Sequence, residues 1–291
     1  MSLKEEAFHL LGPEFVFGGM NFPEEQAKVI IYGVPLDATT CEKPGARFGP
    51  NAIREISFGL GSFVQSKGIN YFDKTKTHDL GDVKVEHGDV EETMKRIEEL
   101  NRKILERKKI PCVLGGEHSI TYGSLKAFEK EKPLIIHFDA HPDLLSGERL
   151  HHGTWLRKAM KFIPKENVFQ LGIRNSSKEE YEFIKKEKIK SYPAEETRKN
   201  LSKVKKELSE FTKGKKFYLS IDIDVLDMKF VPGTGTPAPG GLSYVEVIDL
   251  ISSLKGKLVG MDLVEVAPDE QKITQTTAAS LLYEIVVQDF I

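Results

Sequence analysis

Pro133-Leu-Ile-Ile-His-Phe-Asp-Ala-His-Pro-Asp143 is the stretch on which the reading of this chain turns. Its first half, residues 134–138, is a short apolar run with β-branched members, the pattern of a buried strand. Asp139, His141 and Asp143 then occupy every second position, and in extended chain such side chains leave on one face. Two carboxylates and an imidazole converging directly after an apolar strand are costly unless a cation lies between them. A divalent metal is the simplest such cation. A solvated loop that holds acids by chance is the plainer alternative for this segment alone.

Outward from that stretch, strand and helix alternate. Toward the N-terminus, residues 28–34 read as the first buried strand, followed by a polar loop over 37–49 and a helix from Asn51. Residues 3–11 are predicted as a short amphipathic helix ended by Gly12-Pro13, and 70–85 show no clear period. Asp89 with Glu92 marks a helix start, and Met94, Ile97, Leu100, Ile104 and Leu105 follow at helical spacing. Residues 110–114 form a strand broken by Gly115-Gly116, after which Glu117-His118-Ser119 opens a helix.

Toward the C-terminus, helices are predicted over 154–162, 178–188 and 195–211, and strands over 167–171, 189–192 and 216–221, the last running into Asp222-Ile-Asp224. A Gly- and Pro-rich loop over 231–242 precedes a capping box of Ser243 and Glu246. A helix to 254, a strand over 258–266 and a helix over 274–287 close the chain. This alternation argues for an α/β fold with a mostly parallel sheet and helices on both faces. Without repeats, low-complexity tracts or linkers, residues 1–291 read as a single domain. Ligands of such sheets bind beyond the carboxyl ends of the strands. His118, Asp139, His141, Asp143, Asp222, Asp224 and Glu265 all fall at or just past such ends.

Composition narrows the classes of function. Across 291 residues, 40% are hydrophobic and 30% charged, enough for a sizeable core under a solvated surface. Forty-two basic residues against 44 acidic ones give a net charge of −2, so nothing advertises a nucleic-acid or membrane partner. No apolar run approaches the ~20 residues needed to span a bilayer, and the N-terminus lacks signal-peptide character, so the cytoplasm is the expected location. Cys41 and Cys112 are the two cysteines and make no disulfide framework.

Six ordered motifs carry a resemblance. Gly-Gly-Glu-His-Ser at 115–119, Asp-Ala-His-Pro-Asp at 139–143, His-Gly at 152–153, Ser-Ile-Asp-Ile-Asp at 220–224, Pro-Gly-Thr-Gly-Thr-Pro-Ala-Pro-Gly-Gly-Leu at 232–242 and Glu-Val-Ala-Pro at 265–268 resemble the signatures of the ureohydrolases, the arginase and agmatinase family. Gly-Ala-Arg-Phe-Gly-Pro at 45–50 resembles it too, so the likeness covers nearly the whole chain. It implies a three-layer α/β/α fold with a parallel sheet of about eight strands, two Mn²⁺ per chain and a homo-oligomer, trimeric or hexameric.

By that resemblance, His118, Asp139, Asp143 and Asp222 hold one metal, and Asp139, His141, Asp222 and Asp224 the other, with Asp139 and Asp222 bridging. Four carboxylates and two imidazoles form a hard donor set that suits Mn²⁺ better than a thiolate-based zinc site. Two ions about 3.5 to 4 Å apart can share and activate one water for attack on a guanidinium carbon, with Asp143 placed to hydrogen-bond it. Glu265 holds the guanidinium through paired charge-assisted hydrogen bonds, and His152 resembles the family's proton shuttle.

Plainer expectations stand beside these. Glu265 at a strand end can also be a structural acid paired with an arginine. Only Gly153 selects His152 over His151, which reads as a loop residue, and His137 reads as a hydrogen-bonded core histidine. Cys112 is expected to be an inert buried thiol, Cys41 lies in a loop that can approach the pocket, and Arg174 is structural or near the rim. Two places depart from the family pattern: Glu117 stands where many members have Asp, and Asp227-Met228 replaces Asp-Pro, which leaves the path of the following loop open. Arginases follow Gly-Leu-Arg with Asp-Val-Asp, whereas Gly172-Ile-Arg is followed here by Asn175-Ser-Ser. Agmatine, cleaved to putrescine and urea, is therefore the expected substrate. The alternatives are arginine, guanidinobutyrate or formiminoglutamate, or a relative that has lost catalysis and serves as a structural or regulatory subunit.

Overall fold

The computed structural model describes residues 2–6 and 9–291. Among the described residues eleven strands run in chain order: β1 (Leu10–Leu11), β2 (Val29–Val34), β3 (Phe63–Val64), β4 (Ile69–Asn70), β5 (Thr77–Val83), β6 (Ile110–Gly115), β7 (Leu134–Phe138), β8 (Val168–Ile173), β9 (Lys190–Pro193), β10 (Lys216–Asp222) and β11 (Lys257–Val264). Nine of them form one sheet in the order β1-β5-β2-β6-β11-β10-β7-β8-β9. Eight strands are mutually parallel, and only β1 at the edge runs antiparallel, on β5. Strands β2, β6, β7 and β8 are buried along their whole length, as expected where helices cover both faces of a parallel sheet.

Alternate residues of each strand feed the two apolar layers. On one face Ile31, Leu114, Ile136, Leu219, Ile221 and Leu263 pack with α2 (Gly49–Gly59), α9 (Leu201–Thr212), α10 (Tyr244–Ser252) and α11 (Ile273–Val286). On the other, Ile30, Tyr32, Val113, Ile135 and Tyr218 meet α4 (Val90–Glu106), α5 (Ile120–Lys126) and α6 (Trp155–Ala159). Shorter helices are α1 (Leu3–Glu6), α3 (Tyr71–Lys74) and α8 (Ala194–Lys199), while α7 (Lys178–Glu187) packs Phe183 and Ile184 against the second layer. Local signals hold where the sequence is explicit. Asp89 accepts the Glu92 amide at the head of α4, and Ser243 with Glu246, like Ser177 with Glu180, closes a full capping box.

Three expectations need correction. The helix over 3–11 covers only Leu3–Glu6; Ala7 and Phe8 lie outside the described residues, and Leu10–Leu11 joins the sheet against Asp82 and Val83. The unreadable stretch over 70–85 contains a seven-residue strand, β5. The helix over 195–211 is two, α8 and α9, because Asn200 leaves helical backbone at φ −125° and ψ 33° while the apolar spacing carries on past it. The loop after Asp227 is well defined despite the missing proline. Asp227 accepts hydrogen bonds from the amides of Lys229, Gly240 and Gly241, and its own amide donates to Leu242 O.

Candidate active site

Four adjacent central strands, β6, β11, β10 and β7, end on the same side of the sheet. Each delivers acids or imidazoles there: His118 after β6, Glu265 after β11, Asp222 at the end of β10 with Asp224 next, and Asp139, His141 and Asp143 after β7. Asp143 and Glu265 have left-handed backbone, φ 55° and 62°, a conformation that non-glycine residues hold only when their surroundings impose it. Gly116 is required for close approach, since a Cβ there would lie 1.9 Å from Leu36 O.

The donor atoms converge on two points. Ligand atoms of His118, His137, Asp139 and Asp143 lie within 4.8 Å of one another, as do those of Asp139, His141 and Asp224, so Asp139 belongs to both groups. His118 Nδ1 is 3.0 Å from Asp139, 3.2 Å from Asp143 and 3.4 Å from Asp222, yet it is aligned for a hydrogen bond with none of them. His141 Nδ1 lies 3.0 Å from Asp224 and 3.4 Å from Asp139. Asp222 belongs to neither group by distance; its Oδ1 accepts the Asp224 amide, and its other oxygen faces His118.

These carboxylates are almost wholly buried, and no Lys or Arg lines their cleft among the described residues. The strain shows in their protonation. Burial, with the charges of Asp224 and Asp139, pushes the Asp222 carboxyl well up. Burial acts the same way on Asp139, but the imidazoles of His118, His137 and His141 around it outweigh that and hold its carboxyl well below the usual range. A buried anionic cluster with an orphaned imidazole nitrogen aimed into it fits a pair of divalent cations.

Surrounding groups fix the orientation of the cluster. His118 Nε2 meets Ser220 Oγ at 2.9 Å, and Ser220 donates to Asp262, which also accepts from Tyr218 and Thr121. Trp155 Nε1 donates to Asp143 Oδ2 at 2.6 Å. Gln170 Nε2 donates to Pro142 O and to His137 Nδ1, so His137 carries its proton on Nε2 and donates to Asp139 Oδ2 at 2.8 Å. His137 is thus the hydrogen-bonded core histidine its position suggested. Asp262 was missed at the sequence level, although an acid inside an apolar strand was a visible signal; Ser220 opens the 220–224 motif but was given no role, and Trp155 and Gln170 offered no signal.

Glu265 Oε1 accepts the His118 amide at 2.7 Å, and no Arg pairs with it among the described residues, which removes the plain ion-pair reading. Its carboxyl is pushed up to about 8 by burial, with Glu117's charge adding and the His118 amide opposing. His152 lines the cleft with Glu265, His118, Asp143, Thr234 and Thr236, and its Nδ1 is buried without a partner. His151 instead accepts the Gly153 amide and stays half-buried in the loop. Cys112 is buried and its thiol pushed up by burial; Cys41 is exposed and does not line the cleft. Arg174 is structural: its guanidinium donates to the carbonyls of Gly172, Asp224, Leu226, Ala238 and Pro239.

The cleft holds about 240 Å³, and its lining includes the exposed Asn175, Ser176 and Ser177 and the buried Glu180. Glu180 is buried, accepting from the amides of Leu144 and Ser177 and the Ser177 hydroxyl, with no Lys or Arg partner among the described residues.

Comparison with known proteins gives a consistent picture. The arginase-family profile matches residues 27–287. An agmatinase from Bacillus cereus is 40% identical over 268 residues, 88% of this chain and 89% of that protein. A mitochondrial guanidino acid hydrolase from Homo sapiens is 39% identical over 266 residues, 87% and 76% of the two chains. The crystal structure of a hypothetical agmatinase from Burkholderia thailandensis matches with a TM-score of 0.85 at 33% identity, over 94% of this chain and 89% of that one.

Proposed function

This chain belongs to the arginase family, and on that premise we propose that it hydrolyses agmatine to putrescine and urea. The observation that carries the choice of substrate is the charge of the cleft. Its lining includes Asp143, Asp222, Asp224, Glu180 and Glu265 and, among the described residues, no Lys or Arg, and Arg174, next to the lining residue Asn175 in sequence, has its donors committed to backbone carbonyls. A guanidino acid would bring a carboxylate to a rim that offers it no cation. Agmatine brings a guanidinium to Glu265 and an ammonium toward Glu180.

The ligand sets in this reading are His118, Asp139, Asp143 and Asp222 for one Mn²⁺ and Asp139, His141, Asp222 and Asp224 for the other. When bound, such ions supply the Lewis acidity that brings a water's pKa into the neutral range. Glu265 keeps Oε1 on the His118 amide and turns Oε2 to the guanidinium, which stays charged at any physiological pH. Asp143 keeps Oδ2 on Trp155, leaving Oδ1 to accept a hydrogen bond from the attacking water. His152, with an unpartnered ring nitrogen in the cleft, hands a proton to the departing amine. The reading extends to a single domain over 1–291, a trimer or hexamer, and a cytoplasmic setting; among the described residues no helix is long and apolar enough to cross a membrane.

Urea release from agmatine, arginine and guanidinobutyrate tests the proposal. Agmatine is expected to lead in kcat/KM by at least about tenfold, some 1.4 kcal/mol. Arginine or guanidinobutyrate ahead of agmatine would overturn the substrate assignment while leaving the chemistry intact. Elemental analysis of active protein should find two metal ions per chain, and a single ion with full activity would overturn the binuclear centre.

A further inference from the structure

His152 is held in the cleft without any hydrogen bond to its ring among the described residues: Nδ1 is buried and unpartnered, and its aromatic neighbour is His151, 5.5 Å away. An imidazole that must meet a departing nitrogen needs a defined position, and here the backbone supplies it. His152 N donates to Thr39 Oγ1 at 3.3 Å. Thr39 lies in the loop after β2, 113 residues away in sequence, so this bond fastens one loop of the cleft to another.

Thr39 is itself fixed from beneath. Its hydroxyl donates to Glu117 Oε1 at 2.5 Å and its amide to Oε2 at 2.7 Å. Ser119 Oγ adds a third donor to Oε1 at 2.5 Å. Glu117 is fully buried and has no Lys or Arg partner among the described residues, so these three donors are what compensate its carboxylate. The polarity of the chain is determined: Thr39 has one hydroxyl proton, it goes to Glu117, and a lone pair is left for the His152 amide. The rest of the loop closes on Asp37, whose Oδ2 accepts the amides of Gly45 and Arg47, and Lys43 N reaches Gly235 O. Thr39 therefore has little freedom to follow a displaced His152.

We propose that Glu117, acting through Thr39, is a positioning residue for His152 and sets where the imidazole stands in the cleft. This rests on the reading of His152 as the proton donor. It also gives a reason for a glutamate at 117: an aspartate on the same backbone would end about 1.5 Å short, one C–C bond, and would lose the Thr39 contacts.

The test compares Thr39→Val, Thr39→Ser and Glu117→Gln in the metal-loaded enzyme, with His152→Ala as reference. Thr39→Val is expected to lower kcat about tenfold, part of the ~10² to 10⁴ that a placed proton donor contributes, with KM and metal content unchanged. Thr39→Ser, which keeps the hydroxyl, should restore most of that loss, and Glu117→Gln should resemble Thr39→Val. Amide hydrogen exchange at His152, followed in the metal-free protein as well, should speed up in the valine and glutamine variants and stay slow in the serine variant. Unchanged kcat and exchange in Thr39→Val, or equal losses in the valine and serine variants, would overturn the proposal. High residual activity in His152→Ala would instead overturn the proton-donor reading, and the exchange measurement would still decide whether Glu117 and Thr39 position that backbone.

Discussion

Replacing Glu265 by glutamine separates substrate binding from metal binding, and the structure says what the new amide must do. Glu265 Oε1 accepts the buried His118 amide at 2.7 Å. A glutamine has one acceptor, and leaving that N–H unpaired would cost roughly 1 to 3 kcal/mol, so its carbonyl oxygen takes the same place. The NH₂ group is then forced into the position of Oε2, beside Gly235, where it confronts the N–H donors of the guanidinium. One charge-assisted hydrogen bond, worth roughly 1.5 to 3 kcal/mol, is lost, and a donor opposing a donor replaces it. The expected loss is at least about 2.7 kcal/mol, or ~10²-fold in kcat/KM. None of the converging ligand atoms belongs to Glu265, so metal content and unfolding temperature should stay near the parent's. Asp224→Asn is the contrast, since it should lower metal occupancy and rate together. Urea release at saturating Mn²⁺, read beside elemental analysis, checks both. A metal-depleted Glu265→Gln, or one nearly as active as the parent, would refute the role given to Glu265.

Protonation and packing give two more expectations. In the metal-free protein burial opposes the charge on His141, but Asp224 and Asp139 raise it to about 12, while Glu265 is pushed up to about 8 chiefly by burial. Both folded values exceed the ordinary ones, so the native state binds more protons than the unfolded chain between 4.5 and about 8 for Glu265 and between 6.5 and about 12 for His141. Stability of the metal-free protein should fall as pH rises through those windows. A metal must displace the proton of its ligand His141, so the gain in Tm on adding Mn²⁺ should grow from about pH 6 to about pH 9; a flat or falling gain would count against the ligand set. Away from the cleft, buried Arg54 pairs with Asp79 at 2.8 Å and Asp82 at 2.6 Å. Arg54→Met should cost about 3 to 5 kcal/mol in urea unfolding, because it leaves buried Asp79 without its cation, while activity per folded molecule stays unchanged; a cost under about 1 kcal/mol would show that Asp79 is not left uncompensated.

What the sequence by itself determined is whatever depends on neighbours a few positions apart. The capping pairs Ser243–Glu246 and Asp89–Glu92 and the buried runs of β2, β6 and β7 are set by period and reach, and they appear where expected; Asp139, His141 and Asp143 also converge, but on a chain that bends after β7 and turns left-handed at Asp143 rather than on the extended one their alternation suggested. The ordered motifs added the family. Tertiary structure alone decided what depends on distant chain. Strand β1 exists because Leu10 and Leu11 find Val83 and Asp82. The break at Asn200 is invisible in an apolar spacing that continues across it. Asp262 becomes part of the site only because β10 lies beside β11 and carries Tyr218 and Ser220 to it. Glu117 and Thr39 meet across 78 residues. The charge of the cleft likewise depends on packing: Arg174 stands one residue before Asn175 in sequence, yet its donors turn to the carbonyls of the 224–239 segment, and among the described residues no Lys or Arg lines the cleft. A side chain's type is local information, but its partner is chosen among every group the fold brings within about 3 Å, and no short-range pattern encodes that choice.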